Sequence, residues 1–314
     1  MSMRSMRIAA CAFALAMLVG GCAQSPSRNL SSDSMPKTGD DTEFPAGSSG
    51  TSPLPLGHID DAAKNSVIEQ IMDESGWDEM IEQLPAMVAM GFDQQQPPPI
   101  KRDEYEKLRE ILLQAFEPER IRKTIVGHLN ERYESKRFSK FLTLIRTPLA
   151  QKMIALEIEA NTPQAQQEMI QMGNILMGQA SPDRLELARR LDEATSATET
   201  ALDMQMMMSE AIMTNMNKIL PQAQRMTEAQ LEQMLEQIRL QSVFPARQYT
   251  QLSIVYMYRS VSDEELGQYI QLHESETARW GTALIRDAWM KVSEDISVDL
   301  AERMKNSFIE NNAI

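Results

Sequence analysis

Residues 138–152, FSKFLTLIRTPLAQK, and residues 266–280, LGQYIQLHESETARW, share one spacing of apolar and small side chains. Phe138, Phe141, Leu142, Leu144, Thr147 and Ala150 fall on Leu266, Tyr269, Ile270, Leu272, Ser275 and Ala278 at one constant offset, that of 138 from 266. Apolar residues three and four apart mark an amphipathic helix, and Pro148 sits where a first-turn proline would start the next one. The pair predicts helix, turn and helix, twice. Leu112 and Phe116 fall on Leu240 and Phe244 at the same offset, so Phe116/Phe244 and Phe141/Tyr269 are expected to be matching core anchors. Upstream, Asp73-Glu74 after Ile68 matches Asp192-Glu193 after Leu187 at the shorter offset of 73 from 192, which puts Ala194-Thr195 in place of Ser75-Gly76.

The surrounding chain reads the same way. Only seven glycines occur between Asp61 and Ile314, well under the usual share of ~7%, and good helix formers dominate. Val67, Ile71, Met80, Ile81, Leu84 and Val88 recur at helical spacing, as do Ile121, Ile125 and Leu129; no stretch alternates with period two. Ser75-Gly76 splits the first helical region and Pro97-Pro98-Pro99 makes a stiff loop. Pro118, Pro148, Pro163, Pro182 and Pro245 sit where helices would start, and Pro85 should kink or bound its helix. Thr227 with Gln230 and Ser262 with Glu265 have capping-box spacing. The expected fold is all-α: two similar multi-helix repeats, 61–180 and 181–314, packed as a bundle.

The chain before Asp61 is different. Arg4 and Arg7 precede an apolar run from Ile8 to Val19, the layout of a secretory signal over 1–21 and too short for a stable membrane span. Val19-Gly20-Gly21-Cys22 resembles a bacterial lipoprotein box, which makes Cys22 the expected lipidation site and new N-terminus. Acyl chains contribute ~0.8 kcal/mol per buried CH2, so an anchor with more than one chain is stable. Ala23 rather than Asp after the cysteine implies, by resemblance to Gram-negative sorting, the outer membrane facing the periplasm. Residues 23–60 hold eight Ser, five Pro and four Gly without apolar periodicity and read as a disordered linker.

A helix with a Ser-Gly break, a long helix pair, and an aromatic-containing helix ending in Thr147-Pro148 before Ala150-Gln151-Lys152 together resemble the periplasmic all-helical family called domain of unknown function 2059. The match runs from Asn65 to about Ala160 and weakens in the second copy, where Glu276 stands at the place of Pro148. The resemblance implies a fold and a compartment; the family has no assigned activity.

Candidate chemistry is sparse. Cys11 and Cys22, the two cysteines, both lie at the N-terminus, so the body has neither a disulfide framework nor a thiol nucleophile. His58, His128 and His273 show no metal-ligand spacing, and no nucleophile elbow or glycine-rich phosphate loop occurs. No catalytic residue and no cofactor is expected. Six of the 24 methionines crowd into Met204, Met206, Met207, Met208, Met213 and Met216. Thioethers suit Cu(I), but gap-filling in a core or a groove for a partner helix explains them better.

The formal charge is −14, which disfavours nucleic acid as a partner. Against that balance, residues 101–152 carry +5. Arg120, Arg122, Lys123, Arg132, Lys136, Arg137 and Lys140 form a candidate contact with anionic headgroups, or a complement to the acidic second repeat. The expected function is therefore a non-catalytic, outer-membrane-tethered module that binds an envelope protein or other envelope component. The alternatives are a periplasmic Cu(I) or small-ligand carrier using the Met-rich helix, and a hydrolase with dispersed residues.

Overall fold

The computed structural model describes residues 61–93, 102–219 and 222–308, and among these every regular element is helical. The signal, Cys22, the linker and Pro97–Pro99 lie outside the described residues. In chain order the helices are α1 (Asp61–Glu74), α2 (Trp77–Asp93), α3 (Arg102–Ala115), α4 (Pro118–Glu131), α5 (Ser135–Ile145) and α6 (Pro148–Ala160). There follow α7 (Pro163–Gln179), α8 (Pro182–Thr195), α9 (Ala197–Ile219), a 3-10 turn at Gln222–Gln224, α10 (Glu228–Met257), α11 (Asp263–His273) and α12 (Glu276–Phe308).

Local chemistry accounts for most of the boundaries. The side chains of Thr147, Thr162 and Ser181 accept hydrogen bonds from the backbone N–H groups of Ala150, Ala165 and Arg184, and a proline follows each cap. Reciprocal capping boxes at Thr227/Gln230 and Ser262/Glu265 open α10 and α11. Pro118 starts α4, but Pro245 lies inside α10, contrary to expectation. It removes the N–H that would bond the Gln241 carbonyl; Gln241 is exposed, so water can take that carbonyl and the helix runs on. Pro85 likewise falls within α2 and does not bound it.

The sequence offset recurs in the helix boundaries. Helices α5 and α11 occupy 135–145 and 263–273, and α6 and α12 begin at 148 and 276, so all three starting and ending points keep the spacing of Phe138 from Leu266. Phe138 and Leu266 are both fully buried, and Phe141/Tyr269, Leu142/Ile270 and Ala150/Ala278 are buried pairs. The continuous α12 corresponds to α6 and α7 together, and α10 to α3 and α4 together. Two registers need correction. By burial, Ile68 and Ile71 match Ala188 and Leu191, one position further along than the Asp73/Asp192 pairing implies. The left-handed residue that closes α1, Gly76 (φ +74°), corresponds to Ser196 (φ +53°), one position beyond Thr195. Through α3 and α10 the register is one position shorter than at α5 and α11, which aligns Pro118 with Pro245, Leu108 with Leu235 and Ile111 with Ile238. Leu240 and Phe244 consequently face outward, 66% and 67% exposed, and are not the counterparts of Leu112 and the half-buried Phe116.

Each repeat lends its last helical segment to the other. Helix α12 packs on α3, α4 and α5 of the first repeat, whereas α6 packs on α10 and α11 of the second. One core therefore joins Ile68, Leu108, Ile125 and Phe138 to Met208 and Ile212 of α9 and to Leu284, Val292, Ile296, Leu300 and Met304 of α12. The other joins Met153 of α6 to Leu191, Val255, Leu266 and Ile270. The boundary at 180/181 thus divides the sequence but not the cores. Ion pairs follow the exchange: Arg120 reaches Asp299 (2.9 Å), and Lys152 reaches Glu265 (2.6 Å).

Two glycines sit at points of close approach, Gly281 across the exchange and Gly76 within the first repeat. The Phe141 ring lies against Gly281 of α12, where any side chain would intrude on the ring. At Gly76 a Cβ would sit 2.6 Å from Ile158 Cδ1, in addition to the left-handed backbone. Gly281→Ala and Gly76→Ala should each lower stability by about 1–3 kcal/mol, measured by urea denaturation; unchanged midpoints would contradict this packing.

Candidate functional site

Two polar features set the second core apart from the first. The carboxylate of Glu157, on α6, accepts hydrogen bonds at Oε1 from the hydroxyls of Tyr258 (2.5 Å) and Tyr269 (2.8 Å), and both tyrosines are buried. The matching positions of the first core, Phe141 for Tyr269 and Ile285 for Glu157, are apolar. Burial pushes the Glu157 carboxyl above the usual carboxylate range, and the two hydroxyls oppose that shift. Burial and the adjacent carboxylate push both tyrosine hydroxyls well above their ordinary value, so they stay protonated donors. The cluster ties α6 to α10 and α11. Tyr258→Phe and Tyr269→Phe should each cost about 1–3 kcal/mol, as expected for a hydrogen bond to a charged group. The double variant should depart from additivity because both serve one oxygen; strict additivity in thermal denaturation would dissolve the cluster as a unit.

The second feature is an open cleft of about 790 Å³ where the C-terminal ends of α8 and α11 meet the first half of α12. Its wall includes Arg190, Glu193, Ser196, His273, Arg279, Thr282, Arg286 and Asp287, over a small apolar floor of Ala194, Ala283 and Met290. In the first repeat the corresponding junction is filled. Ile145, Ile154 and Ile158 occupy the positions of His273, Thr282 and Arg286, with Ile145 and Ile154 buried and Ile158 packed on Gly76. The same backbone frame is thus closed with isoleucines in one repeat and opened with polar side chains in the other.

Inside the cleft the polar groups differ in how they are held. Arg286 pairs with Asp203 and Arg190 with Glu274 (3.3 Å). Arg279 donates through Nε and Nη2 to the Glu274 carbonyl (2.8 and 2.6 Å), which orients its guanidinium. Among the described residues it has no carboxylate partner. Asp287 is held only loosely, 3.9 Å from Arg132 at the surface. His273 packs edge-on against Tyr269, with ring centroids 4.5 Å apart, and its buried Nδ1 has no hydrogen-bond partner among the described residues. An unsatisfied buried nitrogen costs about 1–3 kcal/mol, a cost that Ile145 avoids at the matching position.

Burial pushes the His273 pKa down to about 4, so the ring is neutral at pH 7. Because the folded value lies below the unfolded one, the unfolded chain binds the extra proton between about pH 6.5 and 4. The histidine's contribution is present above that window and is lost as the pH falls through it. His273→Ile should therefore flatten the acid side of the stability profile over this window and equal or exceed the original stability at pH 7. An unchanged profile in pH-dependent urea unfolding would contradict the buried neutral ring.

The residues singled out in the sequence lie elsewhere. Helix α9 is sandwiched between α10 and α12; Met208 and Met213 are buried, and Met204, Met206 and Met207 are half-buried. The Met216 side chain lies outside the described residues. Among the described residues no group of three or more His, Cys, Asp or Glu is placed to hold a metal ion. Four of the basic residues, Arg120, Arg122, Arg132 and Arg137, are engaged in ion pairs. Arg122 binds Asp78 (2.8 Å) and Glu69 (2.5 Å), Arg120 binds Asp299, and Arg137 pairs with Glu134 (3.2 Å) beside the Trp280 ring. Lys136 and Lys140 share a shallow depression with Thr147 and Ser275, and these two with Lys123 have no ion-pair partner among the described residues. No family model, curated protein or solved structure matches the chain.

Sequence reasoning set His273 aside for want of spacing and did not single out Ser196, Thr282, Arg279, Arg286 or Glu157. The usable signal was the repeat itself: carried across at the α5/α11 offset, Ile145, Ile154 and Ile158 become His273, Thr282 and Arg286.

Proposed function

We propose that the protein is a non-catalytic helical lipoprotein, tethered through Cys22 at the outer membrane, that binds a small envelope component in the cleft between α8, α11 and α12. One observation carries the reading: the cleft replaces a closed apolar junction, present in the same chain, with polar and charged side chains. Selection for stability favours the isoleucine solution, so the polar one calls for a ligand. The guanidinium of Arg279, oriented by a backbone carbonyl, suits holding a ligand rather than moving a proton. The signal, linker and lipoprotein box supply the address, and the helical family resemblance implies the same compartment. Small-ligand binding thus shifts from the Met-rich helix to this cleft.

The test is a thermal-shift screen of the chain carrying Cys22→Ser against amino acids, short peptides, sugars, sugar phosphates and polyamines. At least one class should raise Tm by several degrees. That shift should vanish in the triple variant His273→Ile, Thr282→Ile, Arg286→Ile, which installs the side chains of the first repeat. No stabilising class, or a shift that survives the triple variant, would overturn the proposal.

A further inference from the structure

The cleft's charges are not a uniform field, and their spacing is informative. Its one guanidinium without a carboxylate partner among the described residues, Arg279, stands at one end of the lining stretch of α12. The loosely held carboxylate, Asp287, stands two turns further on. That length of helix separates them by about 12 Å along the axis. Ala283 lies midway and, with Ala194 and Met290, leaves an apolar strip between the charged ends.

A ligand that fits this pattern has a carboxylate at one end, an ammonium at the other and a slim, weakly polar middle. A polyanion such as a phosphate ester would meet Glu193, Glu274 and Asp287 as well as the arginines, and a sugar would leave both charged ends unanswered. An extended tripeptide spans about 10–11 Å, close to the ~12 Å rise between the backbone positions of Arg279 and Asp287 on α12. Resting on the cleft reading above, we infer that the ligand is a short zwitterionic peptide, a tripeptide or close to it. Its C-terminal carboxylate sits on Arg279, with the hydroxyls of Ser196 and Thr282 nearby, and its N-terminal ammonium is directed to Asp287. Guanidinium and carboxylate form the stronger, geometrically defined end of such a complex.

The probe is trialanine, titrated by calorimetry into the chain carrying Cys22→Ser. It should bind saturably. Trialanine amide, which lacks the carboxylate, and N-acetyl-trialanine, which lacks the ammonium, should each bind at least tenfold more weakly, and free alanine should not reach both ends. Arg279→Gln should weaken trialanine at least tenfold, and Asp287→Asn should weaken it while reducing the penalty for acetylation. The two blocked peptides keep the test valid even where Arg279→Gln disturbs the end of α11. Absence of saturable trialanine binding, or equal affinity for the blocked peptides, would overturn the peptide assignment. If another class from the screen binds and is lost in the triple isoleucine variant, the cleft stands and only the peptide falls; if no class binds, both fall.

Discussion

The contact on which the rest of the molecule depends is the seating of α12 across α3, α4 and α5 of the first repeat. Leu284, Val292, Ile296, Leu300 and Met304 complete a core whose other members begin as early in the chain as Ile68. In return α6 enters the second repeat, where Met153 is fully buried. The crossing of α12 passes through a close-packed point, Phe141 on Gly281. The connection is short in each direction, a turn capped by Thr147 or Ser275, so the exchanged arrangement needs no long linker. It also explains why α9 can be rich in methionine. Lodged between α10 and α12, it must fill an irregular space between two repeats, and unbranched thioethers adapt to such a space.

The exchange places two chemically different junctions in one molecule. Where α6 leaves α5, the end of α1 is sealed with isoleucines. Where α12 leaves α11, the end of α8 is lined with hydroxyls, guanidinia and an imidazole. Cross-helix charge is reversed between the two as well: Arg146 at the end of α5 grips Glu74 of α1, whereas Glu274 at the end of α11 accepts Arg190 of α8. A frame able to close with apolar side chains has in one copy been opened, and Glu157 with its two tyrosines holds the neighbouring helices together behind the opening.

Much of the fold was legible in the sequence because it was written in local chemistry. The caps Thr147, Ser181, Thr227 and Ser262 and their prolines or capping boxes decide helix starts without help from distant residues. The pairing of α5 with α11 shows because buried faces tolerate few substitutions. Pro245 misled because an exposed carbonyl makes an interior proline tolerable, and that depends on tertiary exposure. Leu240 and Phe244 misled because a single step in register turns a side chain by about 100° on a helix. The cleft was hidden for a different reason. Ser196, His273, Thr282 and Arg286 have no shared spacing, and only the folded repeat brings them to one opening.

The interleaving also bears on how the chain acquires its structure as it is made. A first repeat of ordinary design could fold as soon as its own residues had emerged, but this one lacks the apolar wall provided by α12 until Met304 is available. Until then Leu108, Ile125 and Phe138 have no cover from that side. The first core is therefore completed only by residues from the end of the second repeat. The two halves are thus complementary parts of one folding unit, since neither core can be completed from one repeat's residues.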